Sequence, residues 1–331
     1  MSRSQRGNTT LAARLCIAVA IAAVLASTVP ARAQTYPSRP IKLIVPFPPG
    51  GAIDVMARLI GEKLSSNLGQ IVIDNRPGGG GTVGFKVAVN AEPDGYTLLY
   101  SGSMALTVIP ALSKSFERDA VKGFAPVAVV SRVPFVLMVA PRLPATNVRE
   151  LINYAKANPG RLNFGAPVGA TPQLVGELFK VKAGIAFQTI PYKGAATTMT
   201  DMLTGQIDMA FEPTSLVLAH IEDAKVRPLA VTSATRSRYL PALPTMIESG
   251  VPGVVAESWT GIVAPAGTSP EIVDRVNRAI NDALKSDDMR LALTKLGGEP
   301  VGGSARDFSA LLAQEGPKWI AMVQSAGLKI D

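Results

Sequence analysis

Short apolar runs of β-type composition alternate along the chain with segments whose apolar residues recur every three or four positions. This alternation is typical of strands joined by helices, which usually build parallel sheets. The predicted strands are residues 41–46, 70–75, 97–101, 125–131, 135–140, 163–166, 187–191, 209–212, 228–232 and 260–264. We therefore expect an α/β fold with parallel sheets.

The first predicted strand runs into the sequence VPFPPGG at residues 45–51, and a helical pattern follows at once. Proline removes backbone N–H donors, whereas glycine permits a tight turn that brings bare backbone close to a ligand. The N–H groups that begin the next helix favour a negatively charged group, as does the positive end of its macrodipole. Taken alone, the loop fits an anion site and an ordinary strand–helix connection equally well.

The first 33 residues have the three parts of a secretory signal peptide. Three arginines precede an apolar stretch at 15–29, and the sequence ARA at 31–33 has the small-x-small form of a cleavage site. We expect cleavage before Gln34 and a periplasmic mature protein. The only cysteine of the chain, Cys16, lies in this peptide, so the mature protein is expected to have no disulfide or thiol chemistry.

Charge and composition argue against a nucleic-acid partner. The chain has 33 Lys and Arg against 25 Asp and Glu, and loss of the four arginines of the signal peptide leaves 29 basic residues and a net charge of +4. The basic residues are scattered, and aromatic residues make up only 5% of the chain. A mildly positive surface instead attracts anionic solutes.

Catalytic and cofactor motifs are scarce. The only histidine, His220, lies in an apolar helical segment, and the mature chain has no cysteine with which it could form a zinc site. A Gly-x-Gly-x-x-Gly motif occurs at 79–84, but the next predicted strand leads into Ser-Gly-Ser at 101–103, where a dinucleotide site requires an acidic residue. We interpret 75–81 as a second backbone-lined loop, and we expect no enzyme activity, cofactor or metal.

Six motifs along the mature chain share one family resemblance. They are YPSRPI at 36–41, VPFPPGG at 45–51, NRPG at 75–78, PDGYTL at 93–98, PYKG at 191–194 and SWTG at 258–261. In these motifs and in their spacing the chain resembles the Bug receptors, the periplasmic solute-binding proteins of tripartite tricarboxylate transporters. The resemblance covers essentially the whole mature chain.

The resemblance implies a two-domain periplasmic binding protein fold with a ligand cleft between two α/β domains. Residues 34–132 and 257–331 are then domain 1, residues 133–256 are domain 2, and the chain crosses between them near 131–136 and 254–258. It also implies a monomeric receptor that holds a small organic carboxylate mainly by backbone N–H groups and ordered water. Such a receptor delivers its ligand to two integral membrane subunits.

The resemblance further implies which residues contact the ligand. On one side of the cleft they are Phe47, Gly50, Gly51, Ala52, Asn75, Gly80, Ser101 and Ser103, and on the other side Gly165, Ala166, Gly169, Ala170, Thr171 and Glu212. The second set includes the N-terminus of a helix that begins at Pro172, which again favours a carboxylate. Pro167 departs from the family pattern and removes one N–H donor from this loop.

Two interpretations of Glu212 stay open. In the cleft, its charge disfavours a second ionised carboxylate, which favours a monocarboxylate or an amino or hydroxy acid over a tricarboxylate. Alternatively, Glu212 is a surface residue that caps the helix starting at Pro213. Lys193, in the PYKG motif, is likewise either a cleft residue or a solvated one.

The favoured function is a solute receptor for a membrane transporter, and two alternatives remain. One is a receptor that presents its ligand to a sensor protein instead of a transporter. The other is an exported α/β enzyme, for which the sequence offers no identifiable catalytic group.

Overall fold

A computed structural model of the protein describes residues 36–108, 122–168, 170–221 and 224–325. The predicted signal peptide and the predicted ligand contact Gly169 lie outside these residues. Residues from Arg39 onward form one compact unit. None of the described helices combines the length and apolar composition that a membrane span needs.

The described residues form ten strands, and most of them lie where the sequence predicts. The strands are β1 Ile41–Val45, β2 Ile71–Asn75, β3 Thr97–Gly102, β4 Phe124–Val139, β5 Asn163–Pro167, β6 Gln188–Tyr192, β7 Met209–Pro213, β8 Arg227–Val231, β9 Glu257–Pro265 and β10 Glu299–Gly302. The segments predicted as two strands on either side of Pro134 are one strand, β4. The four-residue strand β10 was not predicted, because Pro300 and Gly302 weaken the strand signal.

The helices alternate with the strands. They are α1 Ala52–Leu68, α2 Thr82–Val89, α3 Ser103–Thr107, α4 Val148–Ala157, α5 Thr171–Ala183, α6 Ala195–Leu203, α7 Thr214–Ile221, α8 Pro270–Lys285, α9 Asp287–Lys295 and α10 Ala305–Ser325. Local sequence explains several boundaries. The Asn147 side chain accepts a hydrogen bond from the Glu150 N–H at the start of α4, and Gly184 ends α5 in the left-handed conformation.

The strands form a mixed sheet rather than the parallel sheets that the sequence predicted. The order is β2-β1-β3-β9-β4-β7-β5-β6, and β8 and β10 also pair with β4. Strand β1 is parallel to β2 and β3, and β5 is parallel to β6 and β7. The expectation was wrong at the centre of the sheet, where the long strands β4 and β9 pair in the antiparallel direction.

Strand β4 changes partners along its length. Its residues up to Pro134 pair with β9, and from Phe135 onward it pairs with β7. The first part also pairs with β10 and the second part with β8. Strand β4 therefore joins the group of strands around β1 to the group around β5.

Each of these two groups of strands has its own buried core. Trp259 and Phe308 meet edge to face in the first core, with ring centroids 5.3 Å apart. Phe164 and Phe211 pack in the same manner in the second, at 6.2 Å. Helix α10 contributes to both cores, since Phe308 belongs to the first and Trp319 to the second.

The parallel strands β5, β6 and β7 bring three helix starts to one edge of the sheet. They end at Pro167, Tyr192 and Pro213, and the helices α5, α6 and α7 begin within four residues of these ends. In open α/β sheets, ligands bind outside the carboxyl ends of the strands. This edge is therefore where a binding site is expected.

Candidate functional site

A cavity of about 560 Å³ lies at the carboxyl ends of these strands. Its volume is that of a site for a small organic molecule. Both groups of strands and five helices contribute to its wall. The lining residues are Ile53, Met56, Tyr100, Ser131, Val133, Phe135, Pro167, Val168, Ala170, Thr171, Pro172, Lys193, Gly194, Ala195, Glu212, Pro213, Ser215, Ser258, Thr260, Leu293, Leu296 and Gly298.

Three helices begin in the wall of this cavity. Residues at the starts of α5, α6 and α7 line it, and the residues that precede α5 and α6, Ala170 and Gly194, provide no side-chain cap. The first N–H groups of a helix have no partner within the helix, and the helix dipole adds partial positive charge beside them. The backbone around the cavity therefore favours a carboxylate.

Much of the remaining wall is apolar. Ile53 and Met56 of α1, Phe135 of β4 and Leu293 of α9 contribute hydrocarbon surface. Lys193, which is exposed and precedes α6, also lies at the wall and adds a positive charge. Positive groups on one part of a cavity and hydrocarbon on another suit an anion with a short carbon skeleton.

A hydrogen-bonded set of hydroxyl groups crosses the wall on three strands. The Tyr100 hydroxyl donates to Thr260 Oγ1 at 2.7 Å, and Ser131 Oγ lies 2.9 Å from the same oxygen. Burial raises the pKa of Tyr100, so its phenol stays neutral and keeps its proton to donate. These residues were not predicted from the sequence as part of the site. The spacing of Ser258 and Thr260, two apart on β9, is the signal that places polar side chains on one face.

Glu212 is the most unusual residue of the cavity. Its side chain is 0% exposed, and neither carboxyl oxygen has a hydrogen-bond partner in the described part of the chain. Burial raises the pKa of Glu212 to about 8. The interpretation of Glu212 as a surface residue that caps a helix is therefore wrong. Glu212 is instead one of the residues that line the cavity, and at neutral pH its carboxyl group is mostly protonated rather than charged. Its contact with a ligand stays a prediction.

Among the described residues, three of the predicted ligand contacts line the cavity, namely Ala170, Thr171 and Glu212. Gly165 and Ala166 lie in β5 just before the lining residue Pro167. At Gly165, a side chain would press on Ile207, so the absence of a side chain there has a packing reason. The structure thus brings the described members of the second predicted set to the edge of the cavity, where Gly165 and Ala166 are not themselves lining residues.

The first predicted set is placed differently, because neighbours of its described members, rather than those members, line the cavity. Ile53 of α1 and Tyr100 of β3 are lining residues, whereas Phe47, Gly50, Gly51, Asn75, Ser101 and Ser103 are not. Ala52 and Gly80 lie outside the residues whose surroundings are described. Tyr100 and Ser101 show the reason, since successive side chains of a strand point to opposite faces. Ligand contact by the first set stays a prediction.

Asn75 has a structural role in the loop that follows β1. Its side-chain N–H groups donate to the Phe47 carbonyl at 3.1 Å and to Asp54 Oδ1 at 2.8 Å. Asp54 also accepts from Arg58 at 2.9 Å and from the Gly50 N–H at 2.8 Å. The hydrogen bond from Arg58, helped by those from Gly50 and Asn75, lowers the pKa of Asp54 to about 2. Asn75 and Asp54 therefore hold the loop between β1 and α1 in place.

Comparison with known proteins places this arrangement in a family. The chain matches the family model of the tripartite tricarboxylate transporter family receptor over residues 56–328. It is 39% identical over 325 residues to protein BugT of Bordetella pertussis, a match that covers 97% of this chain and 99% of BugT.

Two solved structures are similar over nearly their whole length. An R. palustris protein with adipate has 36% identity and a TM-score of 0.71, and the match covers 89% of this chain and 99% of that one. MatC from Rhodopseudomonas palustris with bound malate has 28% identity and a TM-score of 0.68, with 87% of this chain and 100% of that one covered.

Proposed function

Because the chain belongs to the tripartite tricarboxylate transporter receptor family, we propose that it captures a small organic carboxylate and delivers it to two integral membrane subunits. The resemblance to the Bug receptors, predicted from six sequence motifs, is confirmed. The family and the fold are those of periplasmic solute-binding receptors rather than of enzymes. Presentation of the ligand to a sensor protein, the alternative raised from the sequence, changes the partner but not the binding site.

The observation that carries the proposal is the meeting of three helix N-termini at one cavity of about 560 Å³. Backbone N–H groups can hold a carboxylate without a dedicated arginine. The apolar wall formed by residues such as Met56 and Phe135 suits the carbon skeleton of the same ligand. Adipate and malate, which are bound in the two similar structures, are both small carboxylates.

We further propose that residues 34–132 with 257–331, and residues 133–256, are two domains that close on the ligand. Two observations support this division. Strand β4 exchanges β9 for β7 as its partner between Pro134 and Phe135, close to the proposed boundary. The cavity wall draws residues from both groups of strands, as a cleft between two domains requires.

Export through a cleaved signal peptide completes the proposal. The apolar stretch at 15–29 and the ARA sequence at 31–33 support it, and periplasmic location is typical of this family. We expect N-terminal sequencing of the protein recovered from the periplasmic fraction to begin at Gln34. Recovery of protein that still begins at Met1 would contradict cleavage.

A thermal-shift screen of small carboxylates tests the proposed function. The purified chain starting at Gln34 is mixed with adipate, malate, succinate, acetate and citrate, and with uncharged diols of similar length as controls. A ligand at 100 times its dissociation constant stabilises the folded state by about 2.7 kcal/mol, which gives a clear rise in melting temperature. At least one carboxylate should give this rise and the diols should not. Equal responses to both classes would contradict a carboxylate receptor.

A further inference from the structure

Glu212 is a buried titratable residue of the cavity to which the proposed function assigns no role. It lies at the end of β7, next to the start of α7, and is one of the residues that line the cavity. Both of its carboxyl oxygens are fully buried without a hydrogen-bond partner among the described residues. Buried polar groups in folded proteins nearly always have a partner. A partner that enters with the ligand explains why the protein supplies none.

The surroundings of Glu212 determine its protonation state. Desolvation raises the pKa of Glu212 to about 8, so the carboxyl group is mostly protonated at pH 7. A protonated carboxyl group has one O–H donor and one carbonyl acceptor. The nearby helix N-termini favour a negatively charged ligand. A ligand carboxylate beside Glu212 therefore meets a hydrogen-bond donor instead of a like charge.

Other titratable groups lie near the cavity, but none of those described takes the place of Glu212 as the acidic group of its wall. Among the described lining residues, Lys193 and Tyr100 are the other titratable side chains. On the strand and helix packed beside β7, Arg132 of β4 pairs with Glu257 at 3.8 Å, and Asp201 of α6 accepts from a tyrosine hydroxyl. His220, on α7, is not a lining residue. Glu212 is therefore the acidic group of this wall.

We propose that Glu212, as a neutral acid, donates its O–H to a carboxylate of the bound ligand, so that ligand capture is coupled to a proton. This inference rests on the proposed function, and it assigns the residue that recognises the second polar end of a dicarboxylate. The first carboxylate is then held by the helix N-termini. Glu212 acts as a specificity-determining residue, since it favours an acceptor group at that position.

The sign of the pH dependence follows from this geometry. Glu212 must be protonated to bind, and in the free protein it loses its proton as the pH rises through about 8. The affinity for a dicarboxylate should therefore be constant below pH 7 as long as the ligand stays ionised. Between pH 7 and pH 9, the affinity should fall about tenfold. At pH 8, half of the free protein is protonated, so binding should take up about half a proton per ligand.

Isothermal titration calorimetry with adipate, malate and succinate tests the proposal, using whichever of the three binds most tightly. Wild type should show the tenfold loss from pH 7 to pH 9. The variant Glu212→Gln should bind several-fold more weakly at pH 7, because an amide is a weaker donor, and should show equal affinity at pH 7 and pH 9. The variant Lys193→Gln should bind more weakly throughout but keep the tenfold loss, which separates Glu212 from the lysine.

The outcomes separate this inference from the proposed function. Titrations of wild type at pH 8 in two buffers of different ionisation enthalpy count the protons directly, and they need no variant to fold. Proton uptake near one half supports the inference. Tight binding with no proton uptake and a flat pH profile overturns the inference about Glu212 but is consistent with the proposed function as a carboxylate receptor. If none of the dicarboxylates binds, the inference about Glu212 is overturned, whether or not other carboxylates bind.

Discussion

Replacing Ala195 with tryptophan is expected to abolish carboxylate binding while the protein stays folded. Ala195 is the first residue of α6 and lines the cavity, so a large side chain there occupies the space of the ligand and covers the helix start. We expect the dissociation constant to rise at least about 100-fold, which corresponds to about 2.7 kcal/mol of binding free energy. Calorimetric titration with the carboxylate selected by the thermal-shift screen measures the change.

The adjacent residue provides a matched control. Ala196 lies on the same helix, is exposed and does not line the cavity. The variant Ala196→Trp carries the same side chain and should bind within about twofold of wild type, since surface changes usually cost little. Equal loss of affinity in both variants would show that tryptophan disturbs α6 as a whole. Equal retention would place the ligand outside this cavity.

Replacing Gly165 with valine is expected to reduce stability rather than affinity. A Cβ atom at Gly165 would overlap the buried side chain of Ile207 and would lie 3.1 Å from Thr198 Cγ2 and 3.2 Å from Tyr192 Cε2. Overpacking of this kind costs about 1–3 kcal/mol, and valine adds two further methyl groups to a site with no space. We expect a loss of about 3 kcal/mol in the free energy of unfolding, measured by urea denaturation.

Gly51 is the matched control for this substitution. It has a φ of −75°, and a Cβ atom at this position would have the Pro48 carbonyl oxygen as its nearest neighbour, at 3.8 Å. The variant Gly51→Val should therefore lose less than about 1 kcal/mol, mostly from a poorer helix N-cap. If Gly165 is instead a ligand contact, Gly165→Val would keep its unfolding midpoint and lose affinity. Titration of Gly51→Val also tests whether this loop forms a wall of the site.

The fold was largely predictable because its strands and helices follow local signals. Strand β1 and helix α1 are separated by prolines and glycines, which disfavour regular secondary structure. The Asn147 side chain caps helix α4 by accepting a hydrogen bond from the Glu150 N–H. The direction of the central strands was not predictable in this way. Strand pairing depends on contacts between distant segments, such as Val136 with Glu212, and a proline at residue 134 concealed the continuity of β4.

The site was predictable only in part, and Glu212 and Tyr100 show why. Family motifs identified the loops near the cavity, but one position along a strand decides which face a side chain occupies. Tyr100 lines the cavity in place of the predicted Ser101. The sequence shows that residue 212 is a glutamate, but it does not show that the side chain is buried. Its protonation removes the like-charge argument by which the sequence favoured a monocarboxylate over ligands with more carboxylates.

A crystal structure of the mature protein, grown with the carboxylate that gives the largest thermal shift, tests the proposed binding site most directly. We expect one carboxylate group within hydrogen-bond distance of backbone N–H groups at the starts of α5 and α6. We also expect the carbon skeleton to lie against Phe135 and Met56, two apolar residues of the cavity wall. A ligand bound elsewhere, or held in this cavity without any contact to these helix starts, would contradict the proposed binding site.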